Sequence, residues 1–252
     1  MSKQNELAQL ADAVTVDGSN VGIGTSSPSK DLEVVSGTTA TTIKVKGTAA
    51  DGYRHGYELQ NSHTGGTTYS MFTTNSSDGH FGGGKFAIAN ADIDSITVAN
   101  TRLVIDSSGA VTMPSQPAFL ARPVGYQNNI PNLTTTTVLF GAEVFDQNSD
   151  FSSNTFTAPV TGKYQLNFGL RLQQLHSTSS YYHIHLRTSN RLYAVLFDPR
   201  VFDVNPDYWD AGLGALADMD VGDTAHITVF QAFGSAQVDI HPDSFFSGYL
   251  VA

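Results

Sequence analysis

Two periodicities divide the chain. Over SKQNELAQLADAV, Leu7, Leu10, Ala11 and Val14 fall at i, i+3, i+4 and i+7, which predicts a short N-terminal helix with one apolar stripe. From Thr15 onward the period drops to two. VTVDGSNVGIG predicts a strand ending at Val16, a turn at Asp17-Gly18, and a second strand with Val21 and Ile23 on one face. LVIDSSGAVTMPSQP (Leu103–Pro117) repeats that plan: an apolar pair, an Asp, a Gly/Ser turn, two alternating apolar residues and a closing Pro. Pro28 and Pro117 each stand eleven residues after their Asp.

Residues 38–100, between these copies, are rich in Gly, Thr and Ser. The segments TTIKVKG, YRHGYELQ, TYSMFTT, GKFAIAN and DSITVAN predict short strands too polar to bury much area within one chain. Such a thin sheet is expected to gain its core from neighbouring copies. The N-terminal stripe, about three turns long, likewise needs a partner. In the second half, KYQLNFGLRL, YYHIHLR, RLYAVLF, DAGLGALADM, TAHITVFQAF and SFFSGYLVA follow one another with turn signals between them. That spacing predicts an antiparallel sandwich or jelly roll. Pro114, Pro117 and Pro123 place a boundary near residue 116. The expected organisation is an N-terminal anchor segment over 1–14, a β-rich shaft over 15–116 and a C-terminal jelly-roll knob over 117–252.

Composition narrows the function. The chain has 252 residues, no cysteine and a net charge of -10, so neither disulfides nor thiolate metal sites are available. Residues 1–116 carry 7 Lys/Arg against 11 Asp/Glu, and residues 117–252 carry 6 against 12. Neither half would attract a phosphate backbone, so no nucleic-acid partner is expected. No run approaches the ~20 apolar residues of a membrane span, and MSKQNELAQL lacks a basic region followed by an apolar one. A soluble protein without membrane insertion or an ordinary signal peptide is expected.

Two glycine motifs invite a nucleotide reading. Gly22-Ile23-Gly24 is followed by Ser27 where a dinucleotide fingerprint needs its third Gly, and a turn and strand come next rather than a helix. Gly79, Gly84 and Lys85 match part of a phosphate loop, but Phe86 replaces the hydroxyl that would hold magnesium. Both read as turns. No cysteine nucleophile or Gly-x-Ser-x-Gly elbow is present.

Binding chemistry has more candidates. In NPDYWDAG, Asp207 and Asp210 flank Tyr208 and Trp209, an arrangement suited to stacking on sugar C–H faces and hydrogen bonding to hydroxyls. The alternative use of Trp209 is to plug the sandwich end or a subunit contact. His183 and His185, at i and i+2 on a strand, would chelate a transition metal, or form a polar strand face. Asp218, Asp220 and Asp223 would offer hard oxygen ligands to calcium, or simply mark a charged hairpin tip.

Residues 117–252 resemble the globular-head domain of complement and collagen-like proteins, a relative of the tumour-necrosis-factor jelly roll. PAFLARP, EVFDQNSDF, TFTAPVTGKYQLNFGL, ALADMDVGDTAHITV and SFFSGYLVA stand in that family's order. The most specific positions are Phe156, Ala158, Pro159, Gly162, Tyr164 and Phe168. Gly222, Asp223, Phe246, Ser247, Gly248 and Leu250 add to them. No Gly-X-Y collagen stalk precedes the domain. Instead, DGSNVGIGTSSPSKDLEV and RLVIDSSGAVTMPSQPAF resemble the repeated linkers of bacteriophage tail-fibre and related virion proteins.

Together the resemblances imply an all-β homotrimer: a short N-terminal helix, a trimeric β-rich shaft and a jelly-roll knob. The implied role is a virion structural protein whose knob binds a host surface glycan or protein. Asp207, Tyr208, Trp209 and Asp210 are its contact candidates. Leu7, Leu10, Ala11 and Val14 would anchor it to other virion proteins. The same architecture would serve capsid decoration or a tail-fibre adaptor. A polysaccharide depolymerase would instead need paired acids in a groove. No cofactor is required beyond the calcium or transition metal considered above.

Overall fold

A computed structural model describes residues 14–35, 41–47 and 54–252. The chain divides into two compact units, Met1–Ala50 and Asp51–Ala252. Leu7, Leu10 and Ala11 lie outside the described residues. Val14 belongs to a strand rather than to the last turn of a helix.

In the first unit, β1 (Val14–Asp17) and β2 (Asn20–Ile23) form an antiparallel hairpin, and β3 (Leu32–Val34) adds parallel to β2. Gly18 supplies the positive φ of the turn, at 62°. The Gly22/Gly24 motif is a place of close backbone approach. A Cβ on Gly22 would lie 2.6 Å from the Thr25 carbonyl oxygen, and one on Gly24 would collide with the Val35 carbonyl. No helix opens after it, so the turn reading stands. Pro28 is buried and its carbonyl accepts from Asn20 Nδ2 at 3.0 Å. Residues 41–47 keep an alternating pattern but belong to none of the four sheets.

The second unit opens with a five-stranded antiparallel meander: β4 (His55–Gln60), β5 (Thr68–Thr73), β6 (Phe86–Ala89), β7 (Thr101–Ile105) and β8 (Val111–Thr112). One face buries Phe72, Ala87 and Ala89 beneath Ile96, with Phe81 and Ile93 packed around them. Arg54 is threaded through this core. Its Nε donates to Asp78 Oδ2 at 2.9 Å, and Nη1 donates to the carbonyls of Ile93 and Ile96 at 3.2 and 3.1 Å. Its guanidinium lies 5.4 and 5.5 Å from the ring centres of Phe72 and Phe81. Burial by itself would raise the Asp78 carboxyl. Hydrogen bonds from Arg54 and the backbone N–H groups of His80 and Phe81 outweigh it and hold the group below its usual range.

This sheet therefore has a small core within one chain, which its polar composition did not announce. DSITVAN is not a strand. It forms two short 3-10 turns, Ile93–Ser95 and Val98–Asn100, with Thr97 and Asn100 capping each other and Ile96 directed into the core.

On the other face of the meander, register aligns Tyr57, Met71, Ile88 and Leu103 in one row, and Thr73, Phe86, Ile105 and Val111 in the next. In the second glycine motif, Gly82 and Gly84 take positive φ and the loop closes onto Thr74, whose hydroxyl donates to the Gly82 carbonyl at 2.7 Å. A hairpin results. Asp106 holds the β7–β8 turn by accepting from the Ser108 and Ala110 N–H groups at 2.8 and 3.0 Å.

From residue 118 the chain forms two sheets packed face to face. One holds β11 (Ala142–Asp146), β9 (Ala118–Arg122), β20 (Phe245–Leu250), β14 (Gly162–Gln173) and β17 (Tyr208–Met219), with β19 (Asp239–Ile240) beside β14. The other holds β12 (Phe151–Ser152), β13 (Thr155–Thr157), β18 (Thr224–Ala232), β15 (Tyr181–Thr188) and β16 (Leu192–Phe197), with β10 (Thr136–Thr137) beside β18. The chain passes repeatedly between the sheets, as a jelly roll requires.

The core follows from period-two alternation. Tyr164, Leu166, Phe168, Leu170 and Leu172 of β14 face Tyr182, Ile184 and Leu186 of β15 and Ile227 and Val229 of β18, all buried. Phe119 is the aromatic hub, with ring centres 4.9, 4.8 and 5.0 Å from Phe151, Phe156 and Phe246. Gly248 lies under this hub: a Cβ there would come within 2.9 Å of the Phe119 ring and collide with Leu166. The all-β architecture with its jelly roll is as the strand pattern predicted. Among the described residues the helical content is three short 3-10 turns, the third being Pro199–Val201.

Five residues, Met113–Pro117, join the meander to the sandwich, and they are pinned. Gln147 Nε2 lies 2.9 Å from the carbonyl oxygens of Met113, Pro114 and Gln116, and Asn148 Nδ2 donates to the Ser115 carbonyl at 3.1 Å. Arg102 Nη1 donates to Ser115 Oγ at 2.8 Å, and Gln116 Nε2 to the Leu250 carbonyl at 2.7 Å.

Candidate functional site

Strand β14 runs the length of the sandwich. It begins beside the segment that leaves the meander, where Tyr164 pairs with Leu250 and Gln116 Nε2 donates to the Leu250 carbonyl, and ends at Gln173, paired with Tyr208 and Asp239. Twelve residues of strand place these ends roughly 35 Å apart at ~3.3 Å per residue. The 207–210 segment is thus at the end of the sandwich far from the meander.

Alternation along β17 separates the four contact candidates. Tyr208 and Asp210 project outward from the sheet and are exposed, and Asp207 lies in the exposed loop before the strand. Trp209 points inward. Its ring stacks on Phe197 at 5.2 Å and meets Phe202 edge-on at 5.5 Å, so it plugs the sandwich end rather than pairing with Tyr208 on one surface. The alternation visible in the sequence already assigns Trp209 and Tyr208 to opposite faces.

Asp210 is tied into an ionic cluster. Arg171 lies opposite it and donates Nε to Oδ1 at 2.9 Å and Nη2 to Oδ2 at 3.1 Å, while its Nη1 donates to Asp243 Oδ2 at 2.8 Å. Arg122 Nη2 reaches Asp243 Oδ1 at 3.2 Å, and His241 Nδ1 lies 3.5 Å from Oδ2. The Arg171 hydrogen bonds hold the Asp210 carboxyl below its ordinary range. A general acid needs the opposite shift, so Asp210 fits a binding role better than acid catalysis.

The His241 ring meets Tyr126 edge-on at 5.0 Å and Tyr208 at 6.4 Å. An open cleft of about 380 Å³ adjoins the cluster. It is lined by Arg171, Asp210, Asp243 and Phe245 over a glycine floor of Gly169 and Gly212. A Cβ on Gly169 would strike the Phe245 ring, so the glycine lets that ring lie flat across the sheet. Arginine, carboxylates, a histidine and two tyrosine rings thus converge beside an apolar floor. Tyr208 and Asp210 are the part legible in the sequence, and Asp207 stays outside the cluster. Arg171, Asp243, His241 and Tyr126 come from distant strands and loops, and only register brings them in.

The remaining candidates have other uses. Asp218 is held by Arg191 at 2.9 and 3.0 Å, and this pairing pushes its carboxyl down to about 2. Asp223 Oδ2 accepts from Asn190 Nδ2 and the Asp220 N–H at 2.7 and 2.8 Å, and Asp220 accepts from the Thr161 hydroxyl at 3.3 Å. These bonds close a hairpin tip.

His183 and His185 share the outward face of β15, ring centres 3.9 Å apart. His185 is only 6% exposed, and burial, then the neighbouring His183 and Arg187, push its imidazole down to about 4. Burial and Arg187 also lower His183 and His226. Among the described residues, no three His, Asp or Glu side chains are arranged to hold a metal ion.

A closed antiparallel jelly roll, with its surface charges paired to one another around an open cleft, defines a binding or structural module. Residues 118–251, more than half of the chain, match the family model of the C1q domain, and the chain belongs to that family. Domains of this kind form homotrimers, often bind receptors and are usually non-enzymatic.

Among solved structures, the chain is similar to the globular domain of zebrafish complement 1qA protein. The identity is 20%, over 54% of this chain and 98% of that one, with a TM-score of 0.41. It is also similar to murine APRIL at pH 8.0, at 12% identity over 54% of this chain and all of that one (100%), again with a TM-score of 0.41. No curated protein matches the chain. Among the described residues no helix is long and apolar enough to cross a membrane.

Proposed function

We propose that this protein is a homotrimeric fibre component of a phage particle, and that the far end of its C1q domain binds a host-surface glycan or protein. The observation that carries the binding role is the convergence of Arg171, Asp210, Asp243, His241, Tyr126 and Tyr208 at the end of the sandwich remote from the meander. Tyrosine rings offer faces to sugar C–H groups, and the charged groups offer hydrogen-bond donors and acceptors to hydroxyls. The virion setting is supported by the resemblance of the two strand–turn–strand linkers to tail-fibre repeats. In this reading residues 1–14 contact other virion proteins, and no chemistry on the host polymer is needed.

Three copies present three such tips. Weak single contacts then sum to strong avidity where the host receptors are spaced to match. The outward face of the sheet that holds β14, β17 and β20 suits the trimer. Tyr249 of β20 and Leu216 of β17 stand exposed there, beside the amides of Asn167 and Gln165.

Binding of fluorescently labelled protein to host cells tests the reading. Tyr208→Ala and Asp210→Asn are expected to lower cell binding at least tenfold while the solution mass stays that of the parent. Undiminished binding by both variants would overturn the tip as the contact surface.

A further inference from the structure

The outward rows of the meander form an apolar surface of unusual composition for this chain. Across β5 to β8, Met71, Ile88 and Leu103 lie in register, and Phe86, Ile105 and Val111 lie in register beside them. Phe86 is 38% and Val111 56% exposed. The residues paired in these two rows include no Asp, Glu, Lys or Arg, and Arg102 stands exposed at the β7 bulge beside them. The opposite face is already covered by the chain's own Phe81, Ile93 and Ile96. Soluble chains seldom leave a continuous apolar patch across several strands bare, and where they do it marks an interaction surface.

We infer that this face is an interface between copies of the chain, a second trimer contact in series with the C1q domain. The inference rests on the trimeric reading above. Three arguments favour a second copy as the occupant. The C1q domain belongs to a trimer-forming family, and only five residues separate β8 from its first strand.

Those five residues are pinned by Gln147, Asn148, Arg102 and Gln116, so three domains on one axis carry three meanders with them at high effective concentration. Finally, each copy carries a net charge of -10, and copies meet at least electrostatic cost through rows without charge. Buried at the interface, the rows would supply the thick core that the meander lacks in one chain.

The absence of cysteine makes the test clean. Phe86→Cys and Val111→Cys place a thiol on the proposed interface, and Thr112→Cys places one at an exposed position on the opposite side of the sheet. Each full-length variant is weighed by light scattering and then titrated with a maleimide under native conditions, using its rate in denaturant as reference. The expected result is a mass of three chains, with thiols at 86 and 111 reacting at least tenfold more slowly than the thiol at 112. A trimer in which all three react alike would overturn this interface and leave the C1q trimer standing. A parent protein with the mass of one chain would overturn the trimeric reading and this inference with it.

Discussion

In the sandwich, every second residue of β14 from Tyr164 to Leu172 points at a second sheet, and the resulting core is closed on both sides. In the meander, Phe72, Ala87 and Ala89 point at loops, while Met71, Ile88 and Leu103 point away from the core. Both sheets obey the same alternation. What separates them is what lies across from each face: a partner sheet in one case, a few loop side chains and an arginine in the other. A thick sandwich supplies its own stability. A thin sheet with one covered face is held by a few specific contacts and gains from association.

The contrast can be broken first at the aromatic hub. Phe119→Ala removes a ring that touches three others, and is expected to cost about 3–5 kcal/mol, the range for a large buried aromatic. Urea unfolding followed by near-ultraviolet circular dichroism should show the sandwich transition moving to much lower denaturant. An unchanged midpoint would mean the hub is not what holds the sheets together.

A smaller but more selective effect is expected in the meander. Arg54→Met removes the hydrogen bonds to Asp78, Ile93 and Ile96 and leaves Asp78 without its cation. A loss of about 3 kcal/mol is expected, the low end for breaking a buried charge pair. Hydrogen exchange should report it, with amides of β5 to β7 losing protection while those of β14 and β15 keep theirs. Equal loss in both regions would show that the two bodies unfold as one.

Acidification sharpens the comparison next. His183, His185 and His226 titrate below their ordinary value of 6.5 in the folded chain, His185 at about 4. The unfolded chain therefore takes up protons first as pH falls. Their contribution to stability is lost between about 6.5 and 4 and restored as pH rises.

The groups facing His185 are His183 and Arg187 on its own strand, Thr228 and His226 on β18, and Ala194 on β16, so no carboxylate offsets the effect. The melting temperature of the sandwich should fall by several degrees across that window. His185→Gln should flatten the fall, and an equally steep fall in that variant would place the pH sensitivity elsewhere.

The smallest expected effect is at the tip. Arg171→Met frees Asp210 and Asp243, but these ion pairs are exposed and screened by solvent, so little net stability rests on them. Stability should barely move while host-cell binding drops. A large loss of stability would make the cluster a structural clasp rather than a contact surface.

Much of the fold is legible in the chain because alternation is a local signal. The strands of the sandwich and the turn reading of both glycine motifs can be taken from sequence spacing, and TFTAPVTGKYQLNFGL carries the resemblance to the family. The misreadings have a common cause. DSITVAN alternates like a strand, yet the mutual capping of Thr97 and Asn100 closes it into 3-10 turns. The small core of the meander depends on Arg54 meeting Phe72 and Phe81, a contact that no local pattern encodes. At the tip, Asp210 was visible by residue type. Its partners Arg171, Asp243 and His241 were not, because register across separate strands brings them together.

The central claim is that this C1q-domain chain works as a trimer. The most direct test is the solution mass of the purified full-length chain by light scattering. The account predicts a mass of three chains that persists on dilution. A mass of one chain of 26.9 kDa would contradict it and leave a solitary jelly roll whose exposed apolar faces need another explanation.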